Sequence, residues 1–179
     1  MSKFYSMKIA GLERNLPLCA VDEHLDIAAF ILFGDVEITI AAATELLKKV
    51  KDFDIIATPE AKSIPLAYEL SRQSGKPYVV ARKGPKVYMR DPISVDVTSI
   101  TTQHEQHLYL GVDEVNLMKG KRVLIVDDVI STGESLDATR KLVIRAGAII
   151  ADSCAILAEG DAAKRDDIVY LEKLPLFFK

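Results

Sequence analysis

Two adjacent carboxylates, Asp127 and Asp128, are followed by Val129-Ile130-Ser131-Thr132-Gly133-Glu134-Ser135, a run that concentrates hydroxyls around one glycine. Before the acidic pair lies Arg122-Val123-Leu124-Ile125-Val126, an apolar stretch of strand type; after it, Ser135 to Gly147 has helical spacing and closes on glycine. A strand that feeds a polar turn, here Asp127 to Gly133, and then a helix leaves the helix's first amides unpaired and aimed back into the turn. Such a turn cradles anions. Ser131, Thr132 and Ser135 add hydroxyls, and Gly133 lets the backbone turn tightly. Two carboxylates beside a bound phosphate would repel it, so they make sense if they face ligand hydroxyls or Mg²⁺. The residues alone equally fit a strand-end Asp pair followed by a Ser/Thr helix cap.

Other elements must hold this segment in place. Ile40 to Lys51 carries apolar residues at helical spacing with lysines near its end, and Asp54 to Thr58 is a short apolar strand stopped by Pro59. A helix from Ile64 to Arg72 ends at Ser74-Gly75. Tyr78 to Ala81 is a second buried strand, broken by the basic turn Arg82-Lys83-Gly84-Pro85-Lys86. From Val95 to Val112 two β-rich stretches flank a polar tip, which predicts a projecting hairpin. Ile150 to Ala158 and Ile168 to Leu174 read as further strands. Buried strands alternating with helices predict an α/β fold with a mainly parallel sheet flanked by helices, whose ligands bind at the carboxyl ends of the strands. One domain over residues 1–179 accounts for the whole length.

Bulk properties narrow the function classes. A net charge of −3 gives no general attraction to nucleic acid. No stretch has the apolar length of a signal peptide or a membrane helix, so a cytoplasmic location with no membrane partner is expected. Cys19 and Cys154 stand far apart in apolar surroundings and read as small core residues rather than a disulfide. With three histidines, His24, His104 and His107, no zinc-ligand set is visible; the two on the hairpin read as solvated. Neither a G-x-S-x-G elbow nor a G-x-x-x-x-G-K-[ST] loop is present.

The segment Val123 to Ser135 resembles the phosphoribosyl-diphosphate motif of type I phosphoribosyltransferases: an apolar strand, two acids, two apolar residues and a short Ser/Thr/Gly loop. That resemblance implies that Asp127 and Asp128 meet ribose hydroxyls, directly or through Mg²⁺, and that Val129, Ile130, Ser131, Thr132, Gly133, Glu134 and Ser135 wrap the 5-phosphate of 5-phosphoribosyl 1-diphosphate. Pro59-Glu60-Ala61-Lys62-Ser63 resembles the diphosphate loop of adenine phosphoribosyltransferases, with Lys62 where an arginine is usual; a lysine neutralises charge but lacks the bidentate fork. Val80, Ala81 and Arg82 resemble base-pocket residues of the purine-using branch, and Lys83 and Lys86, with Arg82, would add positive potential near the diphosphate. Residues 1–40 correspond to a small hood over the base, and residues 95–112 to a flexible lid that excludes water. The catalytic glutamate of many adenine enzymes falls at Thr102, with Glu105 nearby as the substitute.

Thr98 to Gln106 is more similar to xanthine phosphoribosyltransferase and the purine repressor, as is Ala158-Glu159-Gly160-Asp161-Ala162. Adenine is nevertheless the base expected. Xanthine-using relatives carry a lysine where this chain has Gly160, and Asp26 falls where they carry an asparagine; a carboxylate suits an exocyclic amino group. The family further implies a homodimer. A binding-only role, sensing phosphoribosyl diphosphate as the repressor relatives do, is the alternative from a different class, and the absence of a DNA-binding module before Ile40 argues against it.

Overall fold

The structure is a computed structural model that describes residues 3–97 and 106–179. It opens with three antiparallel strands, β1 (Phe4–Ile9), β2 (Leu12–Ala20) and β3 (Leu25–Ala28), which form the hood region. Helix α1 (Val36–Leu47), strand β4 (Ile55–Pro59), helix α2 (Ile64–Ser74) and strand β5 (Tyr78–Ala81) come next. The hairpin is β6 (Ile93–Val97) and β7 (Gln106–Leu110), and α3 (Val112–Met118) succeeds it. Then come β8 (Arg122–Ile130), α4 (Glu134–Arg145), β9 (Ile149–Glu159), a 3-10 turn at Gly160–Lys164, β10 (Val169–Leu174) and β11 (Leu176–Phe178).

Five strands form a parallel sheet in the order β10-β9-β8-β4-β5, so β8 is central, hydrogen-bonded to β9 on one side and β4 on the other. Because successive side chains on a strand point to opposite faces, β8 feeds two cores. Leu124 and Val126 pack with α1, α2 and the hood, whereas Val123 and Ile125 pack with α4 and the hairpin's Leu108 and Leu110. Full burial of side chains this size is worth about 1.5–3 kcal/mol each. The apolar run therefore fixes β8 in register and delivers the acidic pair to the carboxyl edge of the sheet.

Several boundaries differ from the sequence reading, each for a local reason. Helix α1 starts at Val36 rather than Ile40, because the Asp35 side chain caps it by accepting from the Ile38 amide at 3.1 Å. Arg14 on β2 clips the hood to this cap through Asp35 (2.6 Å) and Glu37 (2.8 Å). Strand β8 does not stop at Val126: Asp127 pairs with Ala155 and Ile130 with Ala158, so the acids lie within the strand and the turn begins at Ser131. The hood gains a fourth strand from the far end of the chain, Leu176 pairing with Ile27. Helix α3 has no counterpart in the sequence reading. It is a short helix whose acidic first turn, Asp113 and Glu114, suits its N-terminus.

Candidate active site

The turn from β4 into α2 is locked from below. The Thr58 hydroxyl lies 2.7 Å from the Ser63 hydroxyl and 2.9 Å from the Val126 carbonyl, and Ser63 donates to the Pro59 carbonyl at 3.1 Å, all in buried surroundings. Glu60 ties the same turn to the end of β5, accepting from the Lys83 amide at 2.9 Å and facing Arg82 at 3.4 Å. The Glu60–Ala61 peptide bond is cis. These contacts leave Lys62 projecting across the edge of the sheet toward β8.

Lys62 Nζ stands 3.4 Å from Asp128 Oδ2. Asp128 is buried, within strand β8 rather than in the polar turn where the sequence reading placed it, and its Oδ2 makes no hydrogen bond. Asp127 Oδ1 accepts from the Asp128 amide at 2.9 Å. Burial and the adjacent Asp128 carboxylate push the Asp127 carboxyl well above the usual carboxylate range, with Lys62 pulling weakly the other way. Two adjacent acids, one of them buried, with a single lysine 3.4 Å away are costly in the protein alone, so their surroundings suit a ligand that brings positive charge or hydroxyl donors.

A cavity of about 460 Å³ opens above these groups, lined by Glu60, Lys62, Ser63 and Lys83 on one side, Asp127, Asp128 and Val129 beneath, and Ser135 at the start of α4. Gly133 precedes α4 with φ +87° and has no side chain to cap the helix; the Glu134 amide faces the Thr132 hydroxyl at 3.5 Å, and the helix start is suited to an anion. Ser131 and Thr132 are exposed beside it. His107 lines the cavity from β7, its Nδ1 2.9 Å from Asp96 Oδ1, in place of the solvated position expected for it. Cavity, acid pair, two lysines and the helix start together can hold a phosphorylated, hydroxyl-bearing ligand.

Against this geometry the phosphoribosyl transferase domain matches residues 35–175, which takes in the turn after β4, the hairpin and the acidic strand. The chain belongs to this phosphoribosyltransferase family. A hypoxanthine/guanine phosphoribosyltransferase of Methanocella paludicola is 39% identical over 113 residues, 63% of this chain and 56% of that protein. Another from Methanococcus voltae is 38% identical over 124 residues, 69% of this chain and 63% of that protein. The aligned region thus spans less than two thirds of these relatives. In solved structures the fold is shared with adenine phosphoribosyltransferase from Thermoanaerobacter pseudethanolicus, at TM-score 0.69 and 22% identity over 96% of this chain and 95% of that one. The adenine enzyme of Leishmania donovani gives TM-score 0.68 and 16% identity over 96% and 76%. The type I phosphoribosyltransferase fold and its hairpin are those expected from the sequence.

Not every expected site residue reaches the cavity. Asp26 sits on β3 opposite Phe177 and pairs with Lys179 at 2.8 Å, so its carboxylate is already engaged within the hood. Ala81 points into the core, and Val80 and Arg82 line a separate, more open depression with Tyr88 and Asp113. From the basic turn Lys83 reaches the site and Lys86 does not; the Lys86 amide donates to the Met89 sulfur, which curls the turn away. Glu105 lies outside the described residues. Ser63 and Lys83 belong to segments that the sequence reading placed near the diphosphate, and both line the cavity; His107 is the addition, and its signal is the register that sets it opposite Asp96.

Proposed function

We propose that the protein is a purine phosphoribosyltransferase, which joins a ring nitrogen of a purine to the anomeric carbon of 5-phosphoribosyl 1-diphosphate as the bond to diphosphate breaks. The observation that carries this reading is one cavity holding the Asp127–Asp128 pair, Lys62 and the start of α4. Departure of diphosphate leaves cationic character on the ribose, which the acid pair favours electrostatically while holding the sugar hydroxyls. Lys62 offsets charge on the leaving group, and the α4 amides with Ser131, Thr132 and Ser135 fix the 5-phosphate. Such a displacement requires no protein nucleophile.

Mg²⁺ fits this donor set. Asp128 Oδ2 is a buried oxygen without a hydrogen-bond partner, and Mg²⁺ is commonly held by one or two carboxylates together with substrate oxygens. Among the described residues no group of three or more His, Cys, Asp and Glu gathers as a self-sufficient metal site. Asp127 and Asp128 would hold the ion, directly or through ribose hydroxyls or water, and it would supply neutralising charge to the diphosphate. Replacing Lys62 with Ala is expected to weaken inorganic diphosphate binding by about 10-fold in calorimetry, and Lys62→Arg to retain it, since a guanidinium keeps the charge and adds a fork. Equal affinity of Lys62→Ala and the wild type would remove Lys62 from the diphosphate site.

For the base, the names of the sequence relatives favour hypoxanthine or guanine. Adenine, the base expected from the sequence, keeps one supporting observation and loses another. Gly160 offers no cation to an exocyclic oxygen, while Asp26 is occupied by Lys179. The glycine is imposed by the backbone: φ is +57°, and a Cβ there would stand 2.9 Å from Leu176 Cδ1. Gly160→Lys is therefore expected to cost about 1–2 kcal/mol in denaturant unfolding; an unaltered midpoint would contradict that account. The function itself is tested by supplying Mg²⁺, 5-phosphoribosyl 1-diphosphate and adenine, hypoxanthine, guanine or xanthine, and measuring diphosphate release. The highest kcat/KM is expected with hypoxanthine or guanine. A higher value for adenine would favour the second base, and no turnover with any base would favour a phosphoribosyl-diphosphate sensor.

A further inference from the structure

Among the described residues, the Ser131–Ser135 turn is poor in positive charge for a phosphate site. Asp127 and Asp128 adjoin it, and the first turn of α4 carries Glu134 and Asp137. Helix amides supply roughly half an elementary charge. Lys62, beside Asp128, and Lys83 line the cavity from the turn after β4 and the end of β5 rather than from the Ser131–Ser135 turn. That a ligand belongs here is indicated independently by Asp128, whose side chain is 3% exposed and whose Oδ2, 3.4 Å from Lys62 Nζ, makes no hydrogen bond, in the same cavity that Ser135 lines.

One cation does meet the turn from a part of the chain distant in sequence. The guanidinium of Arg165, in the segment after β9, lies over the Cα of Gly133: a Cβ built on that glycine would overlap Arg165 Nη1. Its orientation is fixed from behind. Nε and Nη2 donate to the two oxygens of Asp167, each at 2.8 Å, and Nη2 lies 3.8 Å from Asp137. Arg140 on α4 grips the same Asp167 through Nη1, donates to its carbonyl at 2.9 Å, and holds Ser153 on β9 at 3.1 Å. The fork is thus spent on Asp167 through two of its nitrogens, and Nη1 is the one directed at the turn.

We propose that Arg165 is a ligand of the sugar phosphate in this turn, its Nη1 closing the side of the cradle that Gly133 leaves open. The assignment rests on the phosphoribosyl-diphosphate reading and extends it to a residue outside the Val123–Ser135 motif. Glycine at 133 then serves two ends, the positive φ and the room for a guanidinium against the backbone. Asp167 acts as a positioning residue, holding Arg165 without reaching the phosphate itself. A planar fork held on one edge by a carboxylate presents its remaining donor in a fixed direction, which suits phosphate oxygens.

Calorimetry with ribose 5-phosphate and, separately, inorganic diphosphate tests the assignment on the full chain, because the two ligands probe opposite ends of the cavity. Arg165→Ala is expected to weaken ribose 5-phosphate by about 30-fold and diphosphate by less than about twofold. Asp167→Asn, which loosens the fork but leaves Arg165 charged, should give a smaller loss with the same selectivity. Unchanged ribose 5-phosphate affinity in Arg165→Ala would overturn the assignment and leave the phosphoribosyl-diphosphate reading standing. Equal losses on both ligands would make Arg165 a structural clip between α4 and the segment after β9. If the wild type failed to bind ribose 5-phosphate at all, both readings would fall. Should Arg165→Ala not fold, Arg165→Lys is measured in its place, with a selective loss of about 5-fold expected because the ammonium lacks the fork, and the same results count against the proposal.

Discussion

An Asp127→Asn protein is expected to melt at a higher temperature than the wild type at neutral pH while binding 5-phosphoribosyl 1-diphosphate at least about 100-fold more weakly. Asparagine retains the side-chain oxygen that accepts from the Asp128 amide, so the local backbone contact survives. The substitution removes a group whose ionised form would place a second negative charge beside buried Asp128. In the folded chain, burial and Asp128 raise the Asp127 carboxyl well above its ordinary range. Between the ordinary carboxylate pKa and that raised value, the folded state holds a proton that the unfolded state has released. The unfolded state therefore binds fewer protons, and wild-type stability falls as pH rises through this interval. The substituted amide has no proton to lose, so the variant's advantage should be absent below about pH 4 and grow to about 1–3 kcal/mol near pH 7. Melting curves from acid to neutral pH, with Mg²⁺ and ligand left out, read the first half of the prediction; calorimetry with both present reads the second. A variant that melts lower at every pH, or one that keeps ligand affinity, would show that the pair is a structural feature rather than a ligand site.

The parts of the fold that are legible in the sequence are those fixed by local pattern. The Val123–Val126 run is uniformly apolar because both of its faces are covered, and α4 announces its end with Gly147. The hood is not legible as strands. Leu12 to Ala20 mixes Glu13, Arg14 and Asn15 with a proline at 17, and its sheet is completed by Leu176–Phe178, a pairing between opposite ends of the chain that no local pattern announces. The site divides in the same way. Asp127, Asp128, Lys62 and Ser135 meet because each lies at or just beyond the end of a parallel strand, and those carboxyl ends share one edge. Lys83 depends instead on a cross-loop bond to Glu60, and Asp26 escapes a local reading because its partner, Lys179, lies on the distant β11 edge of the hood.

Gly133→Val tests the cradle most severely, because it acts on backbone and ligand together. At φ +87° a β-branched residue is strained whatever space surrounds it, and its Cβ would in addition displace Arg165 Nη1. The displaced atom is the far end of a flexible side chain, so relief by moving Arg165 is easy and the steric contact adds little to the loss of stability. Strain alone should then set that loss, at about 1–3 kcal/mol in denaturant unfolding. Binding suffers from both changes: the α4 amides are re-aimed as the turn relaxes toward negative φ, and the guanidinium leaves the phosphate. Nucleoside monophosphate affinity is expected to fall by about 100-fold or more, while diphosphate, held at the Lys62 end, changes little. Gly133→Ala separates the contributions, since alanine tolerates the left-handed region better than valine yet places the same Cβ against Arg165. It should recover part of the stability and little of the monophosphate affinity. A Gly133→Ala protein that binds monophosphate as the wild type does would place the phosphate away from this face of the turn, whatever valine does to the fold.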